Sequence, residues 1–135
     1  MSEPKVPVKG RVIGIHHLAV CAHDLSKAKV FYGELLGLEE LPRPDTVAEQ
    51  FISAWYLLGN AELHVVENKK FKPLGSQPAP HFAVAPDDFE ATVERLQSNG
   101  INIVFGPAKG EDGVDRIVAV DPTGNAVEIV NMPLH

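Results

Sequence analysis

Cysteine is nearly absent: Cys21 stands alone among 135 residues. One thiol cannot close an internal disulfide, and a reducing cytoplasm is the expected compartment. Basic residues are also in deficit, with twelve Lys and Arg against eighteen Asp and Glu and a formal net charge of −6. That balance disfavours nucleic acid and anionic membrane as partners. No apolar run reaches the length of a membrane span, and the opening Met1-Ser-Glu-Pro-Lys-Val-Pro7 has no signal-peptide profile. What remains is a composition ordinary for a globular protein, at a length that suits a single domain, residues 1–135, with a real core.

The chain contains its own echo. Gly14-Ile-His-His-Leu-Ala-Val-Cys-Ala-His-Asp24 aligns with Pro80-His-Phe-Ala-Val-Ala-Pro-Asp-Asp88, so that His17 meets His81, Ala19 meets Ala83 and Asp24 meets Asp88. The same offset carries His64 onto Glu128. Four potential metal ligands thus occupy two equivalent positions of a duplicated sequence. Residues 11–67 form the first unit, 80–132 the second, and the Pro- and Lys-rich stretch 68–79 the link between them.

Each unit reads as strand, helix, then three strands. Arg11–Cys21 is a strand by its β-branched content. Asp24 is a natural N-cap, Leu25, Ala28, Phe31, Tyr32, Leu35 and Leu36 keep helical spacing, and Gly37 is a stop. A short strand near Leu38–Leu41 leads into the turn-rich Pro42-Arg-Pro-Asp45. Phe51–Leu58 and Ala61–Glu67 form a hairpin about Gly59-Asn60, a register that sets Trp55 opposite His64 and Leu57 opposite Glu62. In the second unit His81–Ala85 is a strand. Asp87 or Asp88 caps a helix, with Glu90 placed for a capping box. Ile101–Phe105 is a strand, Gly106–Gly113 a polar loop, and Val114–Val120 with Ala126–Val130 a hairpin. That hairpin places Val118 near Glu128, with Arg116 one step further along the same face.

Small residues share a strand face with His17, His81 and Glu128, whereas Leu18, Val20, Phe82, Val84, Val127 and Ile129 point the other way. A core on one side and a cavity on the other is the layout this implies. Glu128 interrupts an apolar strand, where an ionised carboxylate needs a partner: a metal ion, or a pair with Arg116. His17, His64, His81 and Glu128 together suit one divalent transition-metal ion, with zinc, nickel, cobalt, manganese and iron all compatible. Trp55 either walls the pocket or fills the core. His16 falls on the helix side, His23 at a strand–helix junction and His135 at the end of the chain, all three read as structural or solvated. Cys21 is read as a small hydrophobe, and Lys69, Lys70 and Lys72 as solvated linker charge.

The chain resembles the vicinal oxygen chelate superfamily, which holds glyoxalase I, methylmalonyl-CoA epimerase, fosfomycin-resistance transferases, extradiol dioxygenases and bleomycin-binding proteins. The likeness spans residues 12–132. It rests on Ile15-His-His-Leu-Ala-Val20 with Asp24-Leu25, Phe31-Tyr-x-x-Leu-Leu-Gly-Leu38, Leu63-His-Val-Val66, His81-Phe-Ala-Val84 and Asp121-Pro-x-Gly-Asn-x-x-Glu128. It implies an α+β fold of two βαβββ modules forming a cupped mixed sheet around a metal site. Its four ligand positions match His17, His64, His81 and Glu128. Glyoxalase I relatives carry Glu or Gln at the second position, where this chain has His64. A homodimer is implied as well, with the site either within one chain or shared between two.

The leading functional expectation is a metal-dependent lyase or isomerase of glyoxalase or epimerase type. It would act on a small substrate with adjacent oxygens through a metal-stabilised enediolate. Glu128 or Glu62 would move the proton, and Arg116 and Trp55 would contact the substrate. Alternatives are an extradiol-type dioxygenase for catechol-like rings, a non-catalytic drug-binding protein and, further off, a thiol transferase.

Overall fold

A computed structural model describes residues 9–48, 50–74 and 80–134. The first strand, β1 (His17–Ala22), starts later than its β-branched sequence suggests. Val12 and Ile13 are each 90 % exposed. β-propensity reflects packing against neighbours, so an apolar stretch with nothing beside it does not become a strand. The ladder opens where the His16 carbonyl accepts from the Glu62 amide at 3.0 Å.

Strand β1 lies parallel to β4 (Ala61–Glu67), which pairs antiparallel with β3 (Ser53–Leu58), itself beside β2 (Glu40–Leu41). The second sheet repeats this order. Strand β5 (Phe82–Val84) lies parallel to β8 (Ala126–Val130), then come β7 (Asp115–Val120) and the edge strand β6 (Ile103–Lys109). The fold is α+β, two modules each with a four-stranded mixed sheet. The β3–β4 hairpin has the register read from Gly59-Asn60, with Trp55 opposite His64. Gly59, at φ +60, takes the left-handed conformation that this turn requires.

Helix α1 (Leu25–Lys29) starts at Asp24, whose carboxylate accepts from the Ser26 amide at 2.9 Å and the Lys27 amide at 3.4 Å. The helix then widens into a π-helical turn, Val30–Leu35, where the Leu36 amide donates to the Phe31 carbonyl at 2.9 Å. Phe31 and Tyr32 are both fully buried there. A short helix, α2 (Asp45–Ala48), occupies what the sequence suggested was only turn. Helix α3 (Phe89–Ser98) is capped by Asp88, which accepts from the Ala91 amide at 3.0 Å. With Asp88 as cap, the third helical position falls on Ala91, so Glu90 has no capping box to close.

Strand β6 also departs from expectation. Residues 106–109, read as loop, continue the strand as an exposed, irregular edge with register shifts on both sides of Phe105. An edge position tolerates the missing amide of Pro107. Gly106, at φ +80, has no room for a side chain, since a Cβ would stand 2.3 Å from the Arg116 carbonyl oxygen.

One buried carboxylate ties the modules together. Asp121 Oδ1 accepts from the amides of Thr123, Gly124 and Asn125, each at 2.9 Å. Its Oδ2 accepts from the Tyr32 hydroxyl at 2.7 Å and from Asn125 Nδ2 at 2.9 Å. Asn125 Nδ2 also donates to the Cys21 carbonyl at 2.8 Å, and the His23 amide to Thr123 Oγ1 at 2.9 Å. A single apolar cluster runs beneath, from Phe31, Tyr32 and Leu63 to Leu96, Ile117 and Ile129.

Two outcomes follow for stability. Tyr32→Phe removes a hydrogen bond to a buried carboxylate, a loss of about 2 kcal/mol, and lowers Tm by roughly 5–10 °C in calorimetry; an unchanged Tm would rule out the junction described. The Asp24 carboxyl is held below its usual range, chiefly by the Ser26 hydroxyl and then by the Lys27 amide. A depressed folded-state pKa adds stability above the ordinary carboxylate range that is lost as pH falls through the folded value. Asp24→Ala is therefore destabilised at pH 7, and denaturant titrations of wild type and variant converge as pH falls below the ordinary carboxylate range.

Candidate functional site

The parallel ladders reproduce the sequence offset as geometry. In the first sheet Ala19 is the partner of His64; in the second, Ala83 is the partner of Glu128. His17 opens β1, and His81 directly precedes β5. His64 and Glu128 thus occupy one topological position in two modules, each with a histidine near the start of the neighbouring strand. Leu63, Val65, Val127 and Ile129, on the alternate positions, are fully buried. Ala19 and Ala83 are exposed, as expected for the open face of each sheet.

In the first module His64 sits inside a stack of rings. Trp55 lies 4.0 Å away on one side at an interplanar angle of 4°, and His17 lies 4.3 Å away on the other at 12°. Trp55 is half-buried against His64 rather than sealed in the core. His64 Nε2 and Glu62 Oε1 are 2.9 Å apart. A carboxylate only accepts, so in this bond Nε2 carries a proton, and that nitrogen is committed to Glu62. The Glu62 carboxyl is held below its usual range, first by that bond and then by the charges of His64, His16 and His17. His16, expected on the helix side, is exposed instead, its Nδ1 2.9 Å from Nδ1 of His17. The cause is the late start of β1: before His17 the alternation of a strand does not apply.

In the second module the two oxygens of Glu128 face different groups. Arg116 Nη1 donates to Oε1 at 3.1 Å, and His81 Nε2 stands 4.0 Å from Oε2. The pair with Arg116 compensates a carboxylate whose side chain is only 15 % exposed. The second arm of the guanidinium engages both oxygens of Asp112. Asp112 is thereby held below the usual carboxylate range, and the Arg116 guanidinium is raised, with Asp112 the larger cause and Glu128 a further one. Asp112 was invisible as a site residue because Gly106–Gly113 read only as a polar loop. Its signal was Asp112-Gly113 at a hairpin tip, two residues short of where β7 begins.

The donor set, three imidazoles and one carboxylate, suits a borderline divalent metal ion. The structure groups it as two pairs, His17 with His64 and His81 with Glu128. Among the described residues no three His, Cys, Asp or Glu side chains form a group able to hold an ion. Each module thus contributes one pair of candidate donors.

Of the remaining candidates, His23 bonds the Phe71 carbonyl, a structural role. His135 lies outside the described residues. Cys21 lines a cavity of about 370 Å³ together with Ala19, Phe71, Lys72, His81 and Asn125. Lys69 is exposed and paired with Glu67 at 3.5 Å.

Residues 14–129 match the Glyoxalase/Bleomycin resistance protein/Dioxygenase superfamily. The chain is 24 % identical over 119 residues to the metallothiol transferase FosB of Bacillus licheniformis, covering 88 % of this chain and 75 % of that one. Among solved structures, a glyoxalase family protein from Bacillus anthracis superposes with a TM-score of 0.77 at 27 % identity, over 93 % of this chain and all of the other. A glyoxalase/dioxygenase from Nostoc punctiforme gives 0.75 at 25 % identity, over 98 % of this chain and all of the other. Both the module order and the sequence match lead to one assignment: the chain belongs to the glyoxalase/bleomycin resistance/dioxygenase superfamily.

Proposed function

We propose that the protein is a metal-dependent lyase or isomerase acting on a small substrate with adjacent oxygens. We place its metal site between two copies, His17 and His64 of one facing His81 and Glu128 of the other. The observation that carries this reading is the pair of equivalent registers, Ala19 with His64 and Ala83 with Glu128, each presenting two donors on an open sheet face. A two-donor half-site leaves most of a metal ion's coordination sphere unfilled, and joining two such halves supplies four protein ligands. When bound, a divalent ion would polarise the substrate's oxygens and make a neighbouring C–H more acidic.

The chain's own residues supply the rest. Glu62 fixes the His64 tautomer that leaves Nδ1 open. Kept ionised at neutral pH, Glu62 is also competent to take a proton from a substrate carbon within reach. Glu128 is the second carboxylate for that role. Trp55, stacked on His64, borders the site and can contact the substrate. Arg116 offers positive charge for an anionic substituent. The likeness to FosB supports a second reading on the same residues, transfer of a thiol to a small electrophile.

Protein purified without chelator is expected to retain about one transition-metal ion per chain, and His64→Ala or Glu128→Ala to lose most of it in elemental analysis. Co-expressing His17→Ala with Glu128→Ala allows mixed dimers in which one shared site is intact. Such a mixture regains metal and turnover that neither variant has alone. Retention of metal by monomeric protein would overturn the shared site, and absence of both metal and metal-dependent turnover would overturn the enzyme. Methylglyoxal with thiols, 2-methylmalonyl-CoA and catechols test the lyase, isomerase and ring-opening chemistries; an epoxide with a thiol tests transfer.

A further inference from the structure

We infer that Asp112, on the β6–β7 hairpin, is a positioning residue that keeps the Arg116 fork divided, so that one oxygen of Glu128 stays open toward His81. This rests on the metal site proposed above. Left to itself, an arginine beside a carboxylate favours two parallel hydrogen bonds, one to each oxygen. Arg116 does otherwise with Glu128: Nη1 bonds Oε1 alone at 3.1 Å, while Nη2 is turned to Asp112. Oε2 of Glu128 therefore faces His81 Nε2 at 4.0 Å instead of a guanidinium N–H.

The hairpin is shaped to hold this arrangement. The Val114 amide donates to Asp112 Oδ1 at 3.1 Å, the Gly110 amide to the Val114 carbonyl at 2.9 Å, and the Gly113 amide to the Gly110 carbonyl at 3.0 Å. The guanidinium lies directly over Gly110, where a Cβ would stand 2.6 Å from Nε and 2.8 Å from Cζ. Arg116 Nε faces the Val114 carbonyl at 3.5 Å. Asp112 is thus the counterweight to Glu128: without its charge, the free arm of the fork swings to Oε2 and caps the oxygen that a metal ion would take.

The test is zinc titration by calorimetry on the full-length protein. Asp112→Asn keeps an acceptor for the Val114 amide, so the hairpin stays closed, but removes the charge that holds Nη2. Its zinc Kd rises about tenfold or more relative to wild type, the scale on which partners of metal ligands act. The double variant Asp112→Asn/Arg116→Gln has no fork to close and regains most of that loss, a coupling that damage to the hairpin would not produce. Asp112→Asn binding zinc as wild type does, or the double variant binding as weakly as the single, would overturn the inference while leaving the metal site standing. Wild-type protein that binds no zinc overturns the reading on which it rests.

Discussion

Parallel pairing of the first and last strands of each module is the constraint on which the rest depends. Two parallel strands cannot be joined by a tight turn; the chain must cross over. In the first module that crossover carries α1 and its π-helical extension, and in the second it carries α3. Both helices pack on one side, burying Phe31, Tyr32 and Leu35 in the first case and Phe89, Val93 and Leu96 in the second. With one face of each sheet covered, a side chain on the other face stays reachable. His17, His64 and Glu128 fall on that side because β-strand alternation puts them out of phase with the buried Leu63, Val65, Val127 and Ile129, and His81 directly precedes β5.

The junction between modules follows from a different economy. Asp121 is almost fully buried and accepts hydrogen bonds from three backbone amides, one amide side chain and one hydroxyl. Those five donors satisfy the buried carboxylate. Burial of Tyr32, together with the charge of Asp121, pushes the Tyr32 hydroxyl well above its ordinary pKa and keeps that proton in the bond. The modules are therefore fixed to each other through the β7–β8 turn and the first helix. His81 lines one cavity together with Gly124 and Asn125 of this junction, so the second pair of candidate donors lies beside it.

Sequence pattern was most informative where a short-range signal and a tertiary need agreed. Gly59-Asn60 set the hairpin register, and that register put Trp55 beside His64. The offset linking His17 to His81 and His64 to Glu128 carries the β1–β4 register onto the β5–β8 register. Legibility failed where structure depends on a neighbour. Val12, Ile13 and Ile15 have the composition of a strand, but among the described residues no strand pairs with them. The Gly106–Pro107 pair looked like a break, yet an edge strand accommodates it as an irregularity. Asp112 was missed because only the folded hairpin brings it to Arg116, four residues later.

The two modules solve the same problem with opposite chemistry. At equivalent ladder positions, His64 is held by flat contacts and one acidic partner, Trp55, His17 and Glu62, whereas Glu128 is held by a cation that is itself shared with Asp112. A neutral donor needs orientation, because an imidazole binds metal through one nitrogen at a time and the other must be committed elsewhere. An anionic donor needs restraint, because an unpaired carboxylate in an apolar strand is costly and a doubly paired one is no longer available. In the proposed site Glu62 would meet the first requirement and the divided Arg116 fork the second. With three neutral imidazoles and a single carboxylate, a dication would keep net positive charge, which favours binding and polarising an oxygen-rich substrate over merely storing the metal.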